Sequence, residues 1–205
     1  MKNQKQRMLA GELYMAADPE LRKDNQRNRR LTYEYNLTQY DETERRVEII
    51  QELLGKIGKN GHIEPPFRCD YGNNIYIGDN FYANFDCVIL DICEIHIGNN
   101  VMFGPCVHLY AASHPIDAGV RDTGLEFGKP ITIGNSVWVG GSTVINPGVT
   151  IGDNVIIGSA SVVTKDIPSN VIAAGNPCRV IREITDEDKK YWQNEAGKYH
   201  REMGN

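Results

Sequence analysis

Nowhere in the 205 residues does an apolar run approach the roughly 18 residues of a membrane span, and the opening MKNQKQRMLAGELY lacks the apolar core of a secretory leader. The chain therefore reads as cytoplasmic, with no membrane partner. It also lacks an excess of positive charge. Lys and Arg number 22 against 27 Asp and Glu, for a formal charge of -5, which argues against a nucleic-acid surface. The five cysteines, Cys69, Cys87, Cys93, Cys106 and Cys178, are odd in number and form no CxxC pair, so a disulfide framework is not expected. No GxxxxGK phosphate loop is present, and Gly128-Lys129-Pro130 does not make one. The length fits one domain with an appendage.

What the chain does have is a period of six. Ile133, Val139, Ile145, Ile151, Ile157 and Val163 are all β-branched, and four places after each stands a residue that can share the same interior: Val137, Thr143, Val149, Val155, Ser161 and Ile167. A helix repeats its apolar face every 3.6 residues and a half-buried strand every 2, so this spacing predicts a solenoid of short strands joined by turns. Gly, Asn and Asp fill the gaps, as corners require. Upstream the same frame holds for Ile77, Ala83 and Ile89 and, after a two-residue slip, for Ile97, Phe103 and Leu109. Cys87 and Cys93 occupy inward slots, where a thiol serves as a small apolar filler. The register is lost after Leu109 and resumes at Ile133, which predicts a loop, 114–130, expelled from the coil; such insertions often carry function.

Residues 1–60 read differently, with few glycines and many charges. Asp18-Pro19-Glu20 predicts a helix start and a helix to about Tyr35. Asp41 with Glu44 resembles a capping box, followed by an apolar face of Val47, Ile50, Leu54 and Ile57. The charged patch from Arg22 to Arg30 reads as a solvated helix face. Glu64-Pro65-Pro66 is expected to end this arm. The coil, 61–184, then has its hexads from about Phe67 to Val171. An edge strand over Arg179–Ile184 and a short terminal helix in 185–205, capped by Thr185 and Asp188 and running through Trp192, are expected to close its far end.

Several stretches together resemble the maltose/galactoside O-acetyltransferases of the hexapeptide-repeat superfamily. They are FRCDYGNNIYIGDNFYANFDCVILD at Phe67 to Asp91, Ser113-His114-Pro115-Ile116-Asp117, Ile145-Asn146-Pro147-Gly148, and Ala174-Gly175-Asn176-Pro177-Cys178-Arg179. The similarity runs from Ala10-Gly11-Glu12-Leu13-Tyr14 to about Ile184. It implies a mainly β fold, a left-handed parallel β-helix with an N-terminal helical arm and a short C-terminal helical cap. It further implies a homotrimer with acetyl-CoA bound between subunits and a small-molecule sugar as acceptor. The period itself does not give the hand.

A sugar hydroxyl is too weak an acid to ionise near neutrality, so its attack on a thioester calls for a general base, and histidine suits that task. His62 and His200 lie outside the hexads and His96 and His108 within them; His114 opens the loop and matches the catalytic histidine of the family. Glu126, on the far side of the loop, is a candidate to orient it. The resemblance places an oxyanion donor near the Ser142 N–H and assigns Asn84, Gly141, Ser159, Thr164, Lys165, Arg179 and Arg182 to the cofactor, the cations answering its phosphates. Asp70, Tyr82 and Asp91 are the candidates to hold sugar hydroxyls, with glucose or maltose favoured. No resident metal is expected; a metal centre from His96, His108 and His114 is one rival, since three histidines form common sites. A non-catalytic scaffold and an acetyltransferase for a non-sugar hydroxyl are others.

Overall fold

The computed structural model describes residues 1–204. The six-residue recurrence becomes short strands on three faces of a parallel β-helix. The first face carries Ile75–Ile77, Ile95–Ile97, Ile131–Ile133 and Thr150–Ile151; the second runs from His62–Ile63 through Tyr82–Ala83, Met102–Phe103, Trp138–Val139 and Ile156–Ile157 to Val171–Ala174. The third holds Phe67–Cys69, Cys87–Leu90, His108–Tyr110, Val144–Ile145 and Val162–Val163. Equivalent hexad positions stack in register, Ile131 on Ile95 and Ile145 on Leu109.

Burial explains the period. All six of the downstream β-branched residues and all six of their partners are buried, including Thr143 and Ser161 at 0% exposure. Each buried aliphatic contributes about 1.5–3 kcal/mol of transfer free energy. The two buried hydroxyls are satisfied by the Gly158 carbonyl, to which both donate. Between the first and second faces, Asn60, Asn80 and Asn100 take left-handed φ near 55–57°, and their amides form a ladder at 3.0 and 2.9 Å. Cys87 and Cys93 lie inside the coil, where burial pushes both thiols up to about 11.

The stack begins earlier than the hexads from Phe67 suggest. Lys56 bridges to Tyr76, and Ile57, Ile63 and Cys69 keep the six-residue step through a first coil. Ile57 thus belongs to this coil and not to a helical face, and Glu64-Pro65-Pro66 forms one of its corners. The arm comprises three helices: α1, Gln4–Leu9; α2, Pro19–Asn36, capped by Asp18 as expected; and α3, Thr43–Leu53. The Asp41 capping box is absent. Glu42 is the N-cap, its carboxylate bent back to accept from the Gln39 N–H at 2.6 Å, and Val47 is 46% exposed. Leu21, Leu31 and Tyr35 of α2 and Ile49, Ile50 and Leu53 of α3 bury against the coil's first turns.

At the far end, Val171–Ala174 pairs with antiparallel Arg179–Glu183, which covers the last edge of the second face. Within the 114–130 loop lies a one-turn helix, α4, Ala118–Arg121. The terminal helix α5 has the Thr185–Asp188 capping box but extends over Asp186–Met203 and buries none of its residues. Edge closure therefore rests on the antiparallel strand.

Candidate active site

Three departures from the six-residue step fall at one corner, between the third and first faces. Cys69 is followed by Ile77 after eight residues, Ile89 by Ile97 after eight, and Leu109 by Ile133 after the whole loop. These bulges stack over consecutive coils and leave a cleft of about 530 Å³. Asp70 and Tyr71 come from the first bulge, Ile92 from the second, and His114 and Glu126 from the loop. The arm closes the other side with Tyr14, Arg22, Asn25 and Arg29.

Local pairing sets His114 beside Glu126. The strand Ala112–Ser113 pairs antiparallel with Leu125–Gly128, Ser113 facing Phe127, so the next position of the ladder places His114 opposite Glu126. On its other edge Leu125–Gly128 pairs with Tyr14–Met15, Tyr14 facing Glu126. The Tyr14 hydroxyl donates to Glu126 Oε2 at 2.9 Å. Burial, then the Glu126 carboxylate, raises the Tyr14 pKa far above the ordinary phenol range, so this donor keeps its proton. No hydrogen bond joins Glu126 to the exposed His114 imidazole.

Asp70 faces the same cleft. Burial, reinforced by the nearby Glu126 charge and opposed by Arg29, pushes its carboxyl up to about 6. Asp91 does not face the cleft. It is 0% exposed, and its carboxylate accepts from the N–H groups of Asp70, Tyr71 and Asn74 at 3.0, 2.9 and 3.3 Å, holding the turn that presents Asp70. Burial outweighs those donors and lifts its pKa to about 6. Tyr82 lies elsewhere, half-buried on the second face and stacked on His62 at 5.8 Å.

The cofactor candidates divide between two corners. Gly141 and Ser159 stack in one file after the second-face strands, with Asn84 one position earlier at the same corner, at the opposite edge of the third face from His114. A side chain at the neighbouring Gly140 would stand 2.6 Å from the Ser159 N, so the file admits only close backbone approach. Thr164 and Lys165 follow the last third-face strand, Val162–Val163, and Arg179 opens the antiparallel edge; all three are exposed. Arg182 is committed elsewhere: its guanidinium forks onto Asp188 at 2.6 and 2.9 Å, which holds that carboxyl well below the usual range. The Ser142 N–H donates to the Pro105 carbonyl at 2.8 Å and is not free for an oxyanion.

His96 bonds Glu94 at 2.9 Å on the first face and His108 bonds the Tyr110 hydroxyl at 2.7 Å on the third, so neither joins His114. Sequence reasoning missed Tyr14, Tyr71 and the arginines of α2. The charged patch is a solvated face, with Arg22, Arg29 and Arg30 exposed, and two of these arginines, Arg22 and Arg29, also stand on the cleft wall. The available signal was the eight-residue spacing, since both eight-residue steps contribute residues to the cleft, Asp70 and Tyr71 from one and Ile92 from the other.

Comparison with known proteins bears directly on this arrangement. Residues 7–58 match the maltose acetyltransferase hexapeptide capping motif, and residues 130–165 match the bacterial transferase hexapeptide of six repeats. The galactoside O-acetyltransferase of Escherichia coli K12 is 49% identical over 187 residues, 91% of this chain and 92% of that protein. The chain belongs to the maltose/galactoside O-acetyltransferase family. A crystal structure of a maltose O-acetyltransferase from Clostridium difficile 630 is 52% identical and superposes with a TM-score of 0.89, covering 90% of this chain and 98% of that one. A galactoside acetyltransferase in complex with coenzyme A is 47% identical, with a TM-score of 0.89 over 92% and 94% of the two chains. The coil is therefore the left-handed β-helix of this acetyltransferase family. The capping motif supplies the helical wall of the cleft, and the matched repeats begin where the loop that carries His114 and Glu126 ends.

Proposed function

We propose that the chain moves the acetyl group of acetyl-CoA to a hydroxyl of a sugar, with glucose or maltose the favoured acceptors. The observation that carries this reading is the meeting of an exposed imidazole, His114, with two carboxylates, Glu126 and Asp70, in one cleft of an acetyltransferase-family coil.

In the reaction, the sugar hydroxyl lies between Asp70 and His114, and Asp70 accepts or donates to neighbouring hydroxyls. His114 removes the hydroxyl proton as the oxygen attacks the thioester carbonyl. The tetrahedral intermediate collapses with cleavage of the C–S bond, and the leaving thiolate takes the proton back from the imidazolium. Glu126, anchored by Tyr14, faces the imidazole across the cleft and takes up its ring N–H once the substrates are seated. The corner of Asn84, Gly141 and Ser159 gives the pantetheine arm a flat path, and Lys165 and Arg179 answer the phosphates. Arg182 joins them only by releasing Asp188.

The same reading calls for a homotrimer. Within one chain, His114 and the Asn84 corner are separated by the third face, whose longest strand, Cys87–Leu90, spans roughly 13 Å. A second copy packed on the second face would bring its corner to the first copy's His114. That face is suited to contact: Tyr82, Met102, Trp138 and Ile156 are consecutive outward partners, with Met102 51% and Trp138 50% exposed.

A panel of glucose, maltose, galactosides and non-sugar alcohols, assayed with acetyl-CoA for thiol release, tests the proposal. Release with sugars supports it, with glucose or maltose leading. Release only with non-sugar alcohols, or none, overturns it.

A further inference from the structure

A second groove, of about 600 Å³, adjoins the His114 cleft and shares Asn25, Arg29, Asp70 and Leu90 with it. Its wall is one flank of α2. Arg22, Asn25, Arg29, Tyr33 and Leu37 recur every three or four residues, a stripe spanning roughly 22 Å at 1.5 Å per residue. Its floor is the outer side of the third face at Val88 and Leu90, bordered by Arg68. Together the two spaces are far longer than a single pyranose ring requires.

The wall is preformed. Asn25 donates to the Asp70 carbonyl at 2.8 Å, Asn28 to the Cys69 carbonyl at 2.6 Å, and Asn36 exchanges bonds of 2.9 and 2.8 Å with the Phe67 backbone. Three amides thus stitch α2 to the strand beneath it, and occupancy of the groove demands little ordering. Its lining is unspent. Tyr33 is 66% and Leu37 58% exposed. Elsewhere on the arm Arg27, Arg30, Arg45 and Arg46 each have a hydrogen-bond or ion-pair partner, whereas among the described residues Arg29 and Arg68 have none. A flat aromatic face beside two sets of free N–H donors matches rings with an apolar face and a hydroxylated edge.

We propose that this groove is a distal acceptor subsite: the sugar acetylated beside His114 is the end unit of a di- or oligosaccharide whose further rings lie along α2, over Tyr33 and Val88, between Arg29 and Arg68. This rests on the sugar acetyltransferase reading above. It makes Tyr33 and Arg68 determinants of chain-length preference with no part in the chemistry.

Acetyl transfer to glucose and to maltotriose, followed by thiol release, tests it in wild type, Tyr33→Ala and Arg68→Ala; both side chains are exposed, and thermal unfolding checks that each variant folds. The wild type should favour maltotriose, and each variant should lose roughly tenfold in kcat/KM for maltotriose, chiefly through KM, while glucose turnover stays within about twofold. A ratio of the two kcat/KM values that is the same in all three proteins overturns the subsite while leaving sugar acetylation intact. Absence of thiol release with either sugar in the wild type overturns the function itself, and the subsite with it.

Discussion

The coils after Ile133 and the coils before Leu109 share one architecture but differ in a telling way. Downstream, six hexads run without a break and every inward position is filled by a buried residue. Upstream, each passage from the third face to the first carries extra residues: two after the first coil, two after the second and a whole loop after the third. Corner residues lock into neighbouring corners in both halves, as where Asn135 accepts from the Asn99 N–H and donates its own N–H to Asp153. The interrupted half exposes Asp70, His114 and Glu126 at a single edge. Regularity builds the wall, and departures from it hold the reactive groups.

The contrast can be broken most severely from the regular side. Ile145→Ala, at 0% exposure, should cost about 2–5 kcal/mol of stability by denaturant unfolding, with kcat per folded molecule unchanged. An equal loss of kcat would show that the regular half is not merely scaffold. On the interrupted side, Asp91→Ala leaves the N–H groups of Asp70, Tyr71 and Asn74 without their acceptor, each buried one costing about 1–3 kcal/mol. Unlike Ile145→Ala, it should also raise the sugar KM, because it frees the turn that presents Asp70.

Such differences follow what the residues disclose. The hexads were legible because burial every sixth residue leaves a pattern no helix or simple strand makes. The expelled loop was legible as a loss of that pattern. The first coil was hidden, since Gly58, Gly61 and Pro65-Pro66 interrupt the apolar signal while the backbone still completes the turn. Helix α1 is six residues long with one buried side chain, Met8, too little for a period to show. His114, Glu126 and Asp70 were nameable as reactive types. Their convergence was not, because it depends on the Tyr14–Met15 strand, which pairs with a segment over a hundred residues away. Asp91 was misread as sugar-facing because an aspartate in a motif gives no sign of whether it points at solvent or at backbone amides.

Smaller effects sharpen the comparison. Tyr14→Phe removes one hydrogen bond to Glu126 and should cost about 0.5–1.5 kcal/mol of stability, with a fall in kcat that a purely structural tyrosine would not produce. Asp70 gives the mildest signature, in pH. Its pKa is raised in the folded chain from 3.8 to about 6, so between those values the folded state binds more protons than the unfolded. Stability from this group is therefore greatest at acid pH and declines as pH rises through 6. Asp70→Asn should gain Tm relative to wild type between pH 4 and 7, with no relative gain below pH 4.

The most direct measurement is steady-state acetyl transfer by wild type and His114→Ala with the best sugar acceptor, with coenzyme A affinity determined in parallel. A kcat lowered roughly 10² to 10⁴-fold with affinity retained is the expected result for loss of the general base. An unchanged kcat in the variant would contradict the assignment of the loop imidazole as the group that activates the sugar.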